Sequence, residues 1–126
     1  MSIRSDIITA RTYCRLKEDG TFETWLEVAA RVIRHQMWLW ERSLGRSLND
    51  TESEELNELF QLIYNKKALL AGRTLWLGGT ELIKRREVAS FNCSFSKAEN
   101  IYDIVDICWL LLNGCGTGFK PVIGTL

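Results

Sequence analysis

The sequence lacks an excess of charge of either sign, because its 126 residues include sixteen basic and sixteen acidic side chains. It also lacks a basic patch interleaved with aromatic residues, which is the usual signature of a nucleic-acid-binding surface. A chain with this charge balance has no general attraction for a polyanion. The sequence therefore predicts no direct DNA or RNA partner.

Long apolar runs are also missing. Residues 1–6 do not open an apolar stretch of signal-peptide length, and no other segment approaches the roughly 20 apolar residues that a membrane span needs. The apolar share of 46% is nevertheless ordinary for a globular protein and sufficient for a core. We therefore expect a cytoplasmic protein with no membrane partner.

Metal-binding residue types are few and scattered. The four cysteines, Cys14, Cys93, Cys108 and Cys115, include no Cys-x-x-Cys pair, and the single histidine, His35, is distant from them in sequence. This spacing argues against a zinc site, so no metal ligand is predicted, and a reducing compartment would keep the thiols free. His35 falls at the edge of an apolar helical face, where a packing or interface role is expected.

The first two thirds of the chain has the signals of helices. Either Thr21 or Thr24 can cap a long helix, and Thr24 with Glu27 matches the capping-box pattern. Gly45 is placed to end this helix. Arg31 falls on the polar side of that helix, opposite its apolar face. Residues 51–54 match the capping-box pattern again before a second amphipathic segment. The patterns predict two antiparallel helices joined by a short polar loop.

The last third of the chain has a different residue pattern. Residues 90–95 have the composition of a short buried strand, and apolar residues recur at helical spacing from Ile101 to Leu112. Three alternating glycines follow, at Gly114, Gly116 and Gly118. Since glycine ends helices, this order predicts a strand, a helix and a second strand.

Two regions follow from these patterns. We place an N-terminal helical region at residues 1–84 and a second, strand-containing region at residues 85–126. The predicted fold class is therefore α+β. No internal repeat or low-complexity segment divides the chain further.

Two features of the second region are compatible with either packing or chemistry. Cys93 could be a small buried hydrophobe, as free cysteines usually are, although the adjacent amide of Asn92 would then need partners, and such polar groups concentrate at functional sites. The glycines could serve a tight strand crossing or let a ligand approach the backbone. Their order, after a helix and before a strand, excludes the Rossmann and P-loop motifs. The residue pattern leaves both alternatives open.

Five groups of residues also follow one another along the chain: Arg11-Thr12-Tyr13-Cys14-Arg15; Glu23-Thr24-Trp25 with Val28 and Val32; Gly72-Arg73-Thr74-Leu75-Trp76 with Gly79-Thr80-Glu81; Ala89-Ser90-Phe91-Asn92-Cys93; and Gly114-Cys115-Gly116-Thr117-Gly118-Phe119. In this order they resemble the N-terminal part of the monomeric class II ribonucleotide reductases, the adenosylcobalamin-dependent ribonucleoside-triphosphate reductases. The resemblance implies a ten-stranded α/β barrel preceded by a helical region. This chain would then contain only the first strand, helix and strand of the barrel.

The resemblance further implies an activity and a set of site residues. Enzymes of this family reduce ribonucleotides to 2′-deoxyribonucleotides for DNA synthesis, using adenosylcobalamin to generate a thiyl radical and a pair of cysteines as the reductant. Cys93 resembles one of the two reducing cysteines and is the expected catalytic residue. The expected substrate-binding residues, which lie next to this cysteine or in the glycine-rich turn, are Ser90, Asn92, Gly114, Cys115 and Gly116.

Several partners are implied in the same way. They are the ribonucleotide substrate, a nucleotide effector, a thioredoxin-type reductant and the polypeptide forming the rest of the barrel, which would hold most of the adenosylcobalamin. Since two strands cannot close a barrel, we expect a split enzyme, an intein-interrupted precursor or a truncated polypeptide. The alternatives are a fragment of a class I or anaerobic reductase, which has an equivalent thiol strand, or a non-catalytic helical assembly module.

Overall fold

The computed structural model describes residues 3–121 and confirms the α+β class. In chain order its elements are α1 (Ile3–Thr12), α2 (Trp25–Leu44), α3 (Asp50–Tyr64), α4 (Gly72–Leu77), α5 (Glu81–Arg85), a 3₁₀ helix (Glu87–Ser90), β1 (Cys93–Ala98), α6 (Ile101–Leu112) and β2 (Gly116–Pro121). The chain divides into two compact units, Met1–Gly79 and Thr80–Leu126. The boundary expected between residues 84 and 85 would fall within α5, which here belongs as a whole to the second unit.

Helix α2 is the centre of the first unit, and its ends are those that the sequence predicts. The side chain of Thr24 accepts a hydrogen bond from the amide of Glu27, and the carboxylate of Glu27 accepts one from the amide of Thr24. Gly45 ends the helix in the left-handed conformation, with φ 67°. The buried residues Val28 and Val32 of this helix form the core of the unit together with Leu75.

Helix α3 begins earlier than its sequence pattern suggested. Its cap is Asn49 rather than Thr51, because the side chain of Asn49 accepts from the amide of Glu52 at 2.9 Å while the Glu52 carboxylate accepts from the amide of Asn49 at 2.8 Å. Asparagine is at least as good a cap as threonine. Arg46 also binds Glu52, at 2.7 and 2.8 Å, and thereby favours this register.

Arg31, which the sequence pattern places on the polar side of α2, is largely buried. Its side chain is only 11% exposed and binds the carboxylate of Glu23 through Nε at 2.8 Å and Nη2 at 2.9 Å. It also donates to the backbone carbonyl groups of Leu75 and Gly78, at the end of α4 and just beyond it. A charged side chain can be buried when it is paired and hydrogen-bonded in this way. The arginine therefore ties α4 to α2.

The second unit has the predicted order of strand, helix and strand. Strands β1 and β2 are parallel, with Cys93 opposite Gly116 and Ala98 opposite Pro121. The sequence suggested that the first strand begins at Ser90, but it begins at Cys93. The reason is local: Glu87–Ser90 forms a 3₁₀ helix, and the Ser90 hydroxyl donates to the carbonyl of Glu87 within that turn.

Helix α6 begins at an Asn100 cap and turns only part of its apolar surface inward. Ile107 is buried against the sheet, whereas Ile101, Val105 and Leu112 are exposed, the last to 85%. The helix is apolar on nearly every side, so its residue spacing could not determine which face is covered. Within residues 3–121, no helix combines the length and the apolar character needed to cross a membrane.

Candidate functional site

The side chains of β1 alternate between two faces of the sheet. Ala98 is fully buried on the face covered by α6, whereas Cys93 and Phe95 are exposed on the opposite face. Residues opposite one another in the register share a face, so β2 extends the exposed surface. We call this surface the open face; its members are Cys93, Phe95, Lys97, Gly116, Gly118 and Lys120.

Cys93 lies where the open face begins, at the N-terminal ends of both strands. It is opposite Gly116 in the register, and the amide of Gly116 donates to the carbonyl of Asn92 at 2.9 Å. The sequence suggested a buried strand, but the thiol is exposed, because none of the described residues covers this face of β1. It is therefore accessible to a molecule that lies on the open face.

Two glycines leave the open face without side chains beside the thiol. Among the described atoms, a Cβ added at Gly116 would have one neighbour within 4 Å, the carbonyl oxygen of Asn92 at 3.4 Å, and one added at Gly118 would have Phe95 Cδ2 at 3.5 Å as its nearest. Both distances are within the range of ordinary contacts, so packing does not require glycine at either position. Without side chains, both positions leave the backbone of the open face uncovered among the described residues.

Three of the other predicted site residues do not present a side chain on this face. Ser90 turns its hydroxyl toward the Glu87 carbonyl, and the thiol of Cys115 is buried. Gly114 has φ 83° in the turn between α6 and β2, a conformation that few residues besides glycine adopt readily. The structure thus brings together Asn92, Cys93 and Gly116. Ser90, Gly114 and Cys115 instead shape the backbone around them.

Some neighbours of the site were not singled out from the sequence. The hydroxyls of Ser94 and Thr117 are hydrogen-bonded at 2.9 Å across the two strands, on the face toward α6. Lys97 and Lys120 are opposite each other at the far end of the open face, and Glu99 raises the pKa of Lys97 through a hydrogen bond and its charge. The alternation of side chains along each strand can be predicted from the sequence. Which residue of β1 lies opposite which residue of β2 depends on the register of the strands, which the sequence does not contain.

The other cysteines have different surroundings. Burial and, after it, the charge of Glu23 raise the pKa of the Cys14 thiol, which disfavours the reactive thiolate. Cys108 is exposed on α6 and is not part of the open face. In the part of the chain that the structure describes, no three or more histidine, cysteine or acidic side chains are grouped so that they could hold a metal ion. Among the four cysteines, Cys93 is therefore the one whose thiol lies on the open face.

Comparison with known proteins identifies related sequences. Residues 4–80 match the family model described as the ribonucleotide reductase alpha domain. A segment of 89 residues, 68% of this chain, is 37% identical to an adenosylcobalamin-dependent ribonucleoside-triphosphate reductase of Lactobacillus leichmannii. A reductase of the same description from Euglena gracilis is 27% identical over 97 residues, or 71% of this chain.

These relatives are much longer than the region that they share with this chain. The matched segments cover 12% of the Lactobacillus leichmannii protein and 13% of the Euglena gracilis protein. The chain thus spans about one eighth of the length of these curated relatives. No solved structure matches it significantly.

Proposed function

Because the chain belongs to the ribonucleotide reductase alpha domain family, we propose that it is the N-terminal part of an adenosylcobalamin-dependent ribonucleoside-triphosphate reductase. The descriptions of its relatives support this activity. The observation that carries the proposal is the exposed thiol of Cys93, which lies opposite Gly116 on the open face. On this proposal Cys93 is one of the two cysteines that reduce the substrate.

The reaction assigned to this thiol is a two-electron reduction at the 2′ carbon of the ribose. The bond from that carbon to the 2′ hydroxyl breaks, the oxygen leaves as water, and hydrogen takes its place. Two thiols supply two electrons and two protons and become a disulfide, so atoms and electrons balance. Cys93 supplies one thiol, and we assign the second thiol and the radical-forming cysteine to the rest of the reductase.

The residues around the thiol have a positioning role in this proposal. The ribose lies on the open face, where Gly116 and Gly118 allow it to approach the backbone closely. The hydrogen bond from Gly116 to Asn92 fixes the start of β2 against the residue that precedes the thiol. Gly114, Cys115 and Ser90 hold the adjoining turns in place and thereby orient this surface.

The described residues do not by themselves fit adenosylcobalamin. Four cavities lined by described residues have volumes of about 320 to 400 Å³, near the lower end for ligands of drug size, and adenosylcobalamin is a far larger molecule. His35, which could in principle coordinate cobalt, is buried and stacked on Trp38. We therefore derive no step through the cofactor and assign its binding mainly to the rest of the enzyme.

The principal partner in this proposal is the remainder of a reductase barrel. Parallel strands occur almost always where neighbouring strands and helices cover them, yet Phe95 is 73% exposed and Phe119 is also exposed. The β1, α6, β2 unit would be the start of a ten-stranded α/β barrel. A ribonucleotide, a nucleotide effector and a thioredoxin-type reductant complete the proposed set of partners, in a cytoplasmic setting that keeps thiols reduced.

The test is the substitution Cys93→Ser in the chain combined with the rest of the reductase. We expect multiple turnover to fall by more than about 1,000-fold, because a reactant is lost, while substrate affinity changes little. Deoxyribonucleotide formation is measured with thioredoxin and, separately, with an external dithiol. Cys108→Ser, which changes an exposed thiol away from the open face, is the matched control and should leave turnover intact.

Sustained turnover of the Cys93→Ser enzyme with either reductant would contradict the assignment. A silent substitution would also favour the alternative of a non-catalytic assembly module. If the assembled enzyme were fully active without cobalamin, it would belong with the class I or anaerobic reductases instead.

A further inference from the structure

Two lysines are direct neighbours across the strands of the open face. Lys97 of β1 lies opposite Lys120 of β2, one position before Ala98 and Pro121, the last described pair of the sheet. Neighbouring strands are about 4.8 Å apart, so the two positions are close. Like charges directly opposite each other destabilise a sheet. This arrangement is therefore unfavourable unless negative charge lies beside both lysines.

The described residues balance only one of the two positive charges. The carboxylate of Glu99 lies 2.6 Å from Nζ of Lys97. The carboxylate of Asp103 accepts hydrogen bonds from the amides of Glu99 and Asn100, at 2.8 and 3.1 Å, and is thus used at the start of α6. Within residues 3–121, no acidic side chain forms an ion pair with Lys120. The second ammonium thus has no negative partner in this part of the chain.

The rest of the open face is apolar and uncovered beside these lysines. Phe95 is 73% exposed, and it lies opposite Gly118, which has no side chain to shield it. On the proposed function, on which this inference rests, further strands of an α/β barrel cover this surface. Helix α6 packs on the other face of the sheet, and helices surround such a barrel, so the open face turns toward its interior.

Covering the open face removes water from the ammonium groups. Burial of a charge is costly unless the charge is paired and hydrogen-bonded. Glu99 can remain with Lys97 when this happens, since both belong to the same unit. Lys120 needs a partner from the polypeptide that covers it.

We propose that the rest of the reductase brings an aspartate or glutamate to Lys120, and that this ion pair forms when the two parts assemble. The ammonium has three donors and no acceptor, so a carboxylate is its natural partner. With Glu99 already beside Lys97, one further carboxylate balances the two lysines. The covering surface therefore combines an apolar contact on Phe95 with an acidic side chain at the lysine end of the sheet.

The experiment is Lys120→Met in the full chain, with the dissociation constant of its complex with the rest of the reductase measured by calorimetric titration. Methionine keeps an unbranched apolar side chain and removes the charge. If a carboxylate meets Lys120, the substitution leaves that carboxylate enclosed without a partner, and assembly weakens by about tenfold or more. If no carboxylate is present, the substitution removes an unpaired charge from an enclosed surface and assembly tightens. The two possibilities thus differ in the direction of the change.

Lys84→Met is the matched control. Lys84 belongs to the same unit but lies on α5, where its ammonium is 3.1 Å from the carboxylate of Glu81. The dissociation constant should not change. A charge exchange identifies the partner: Lys120→Glu should weaken assembly further than Lys120→Met, and replacing one particular acidic residue of the other polypeptide by lysine should restore it.

The proposal is overturned if the Lys120→Met chain assembles as tightly as the unchanged chain or more tightly, or if no exchange of an acidic residue restores assembly of the Lys120→Glu chain. Cys93→Ser separates this result from the reductase activity, because it should abolish turnover without changing the dissociation constant. A silent Cys93→Ser together with weak assembly of Lys120→Met would reject the catalytic role and support the ion pair. Failure of the unchanged chain to bind the rest of the reductase would overturn both.

Discussion

A substitution at the single residue Gly116 can distinguish a packing role from a ligand-binding role. A side chain there would approach the carbonyl oxygen of Asn92 to 3.4 Å, which a strand can accommodate, yet it would project onto the surface beside Cys93. The consequence for folding and the consequence for binding should therefore differ. Gly79 shows the opposite situation, because an added Cβ would meet backbone and side-chain atoms of Arg31 at 2.8 Å.

We expect Gly116→Val to raise the substrate KM of the assembled reductase by about tenfold or more, since the valine side chain would occupy the space where we propose that the ribose lies. The melting temperature should change by only a few degrees, because valine is well tolerated in strands. Steady-state kinetics and thermal unfolding are measured on the same preparation.

The control for this prediction is Gly45→Ala. Gly45 has φ 67° and no atom within 4 Å of an added Cβ, so alanine should cost about 1 kcal/mol of stability through backbone strain alone. KM should not change. Equal losses of affinity and stability in Gly116→Val would favour a packing role for Gly116 and remove it from the proposed site.

At the scale of elements, the first unit depends on how α4 is attached to α2. The guanidinium of Arg31 binds Glu23 and the carbonyl group of Leu75, and Gly79 passes directly against the arginine. Burial alone would raise the pKa of Glu23, but hydrogen bonds from Arg31 and from the Arg15 amide hold that pKa below its usual range. The carboxylate thus stays ionised, and the pair holds the segment after α4 in place.

Gly79→Ala tests this attachment, and Gly20→Ala is its matched control. The two glycines have nearly the same backbone angle, φ 79° and φ 80°, but an added Cβ at Gly20 has no atom within 4 Å. We expect Gly20→Ala to lower the free energy of unfolding by about 1 kcal/mol and Gly79→Ala by about 3 kcal/mol or more, because backbone atoms must move. Urea denaturation measures both, and equal losses would show that the contact with Arg31 does not matter.

At the scale of the whole molecule, the two units differ in how well they are covered. The helices of the first unit have caps and a shared core at Val28, Val32 and Leu75. Within residues 3–121, the sheet of the second unit has two strands and an uncovered open face. A sheet of two strands is marginally stable without further neighbours.

We therefore expect hydrogen exchange to distinguish the isolated chain from its complex with the rest of the reductase. Amides of β1 and β2 should exchange quickly in the isolated chain, and the chain should tend to associate through its exposed edge. Amides of α2 should be more protected in both samples. The added polypeptide should slow exchange in β1 and β2, because it supplies the missing neighbours.

Strong protection of β1 in an isolated monomer would contradict this expectation. It would favour a second unit that is stable by itself, and with it the reading of this chain as a self-sufficient binding module.

Residue order alone predicts those features that depend on residues close together along the chain. The Thr24 and Glu27 cap, the stop at Gly45 and the order of strand, helix and strand were predictable, because hydrogen bonds between residues three or four apart and the alternation of side chains are local. The family resemblance was also readable, since it rests on short motifs in order. The choice of Cys93 as the reactive thiol came from that resemblance and stays a prediction.

Which surfaces are covered depends on packing between elements that are far apart in the chain. The sequence pattern placed Arg31 on the polar side of α2, but contacts with Glu23, Leu75 and Gly78, which lie elsewhere along the chain, bury its side chain. It also suggested a buried strand at Cys93, but the thiol is exposed because no described residue packs on the open face. Burial depends on what packs against a face, and for an element as evenly apolar as α6 no periodic pattern contains that information.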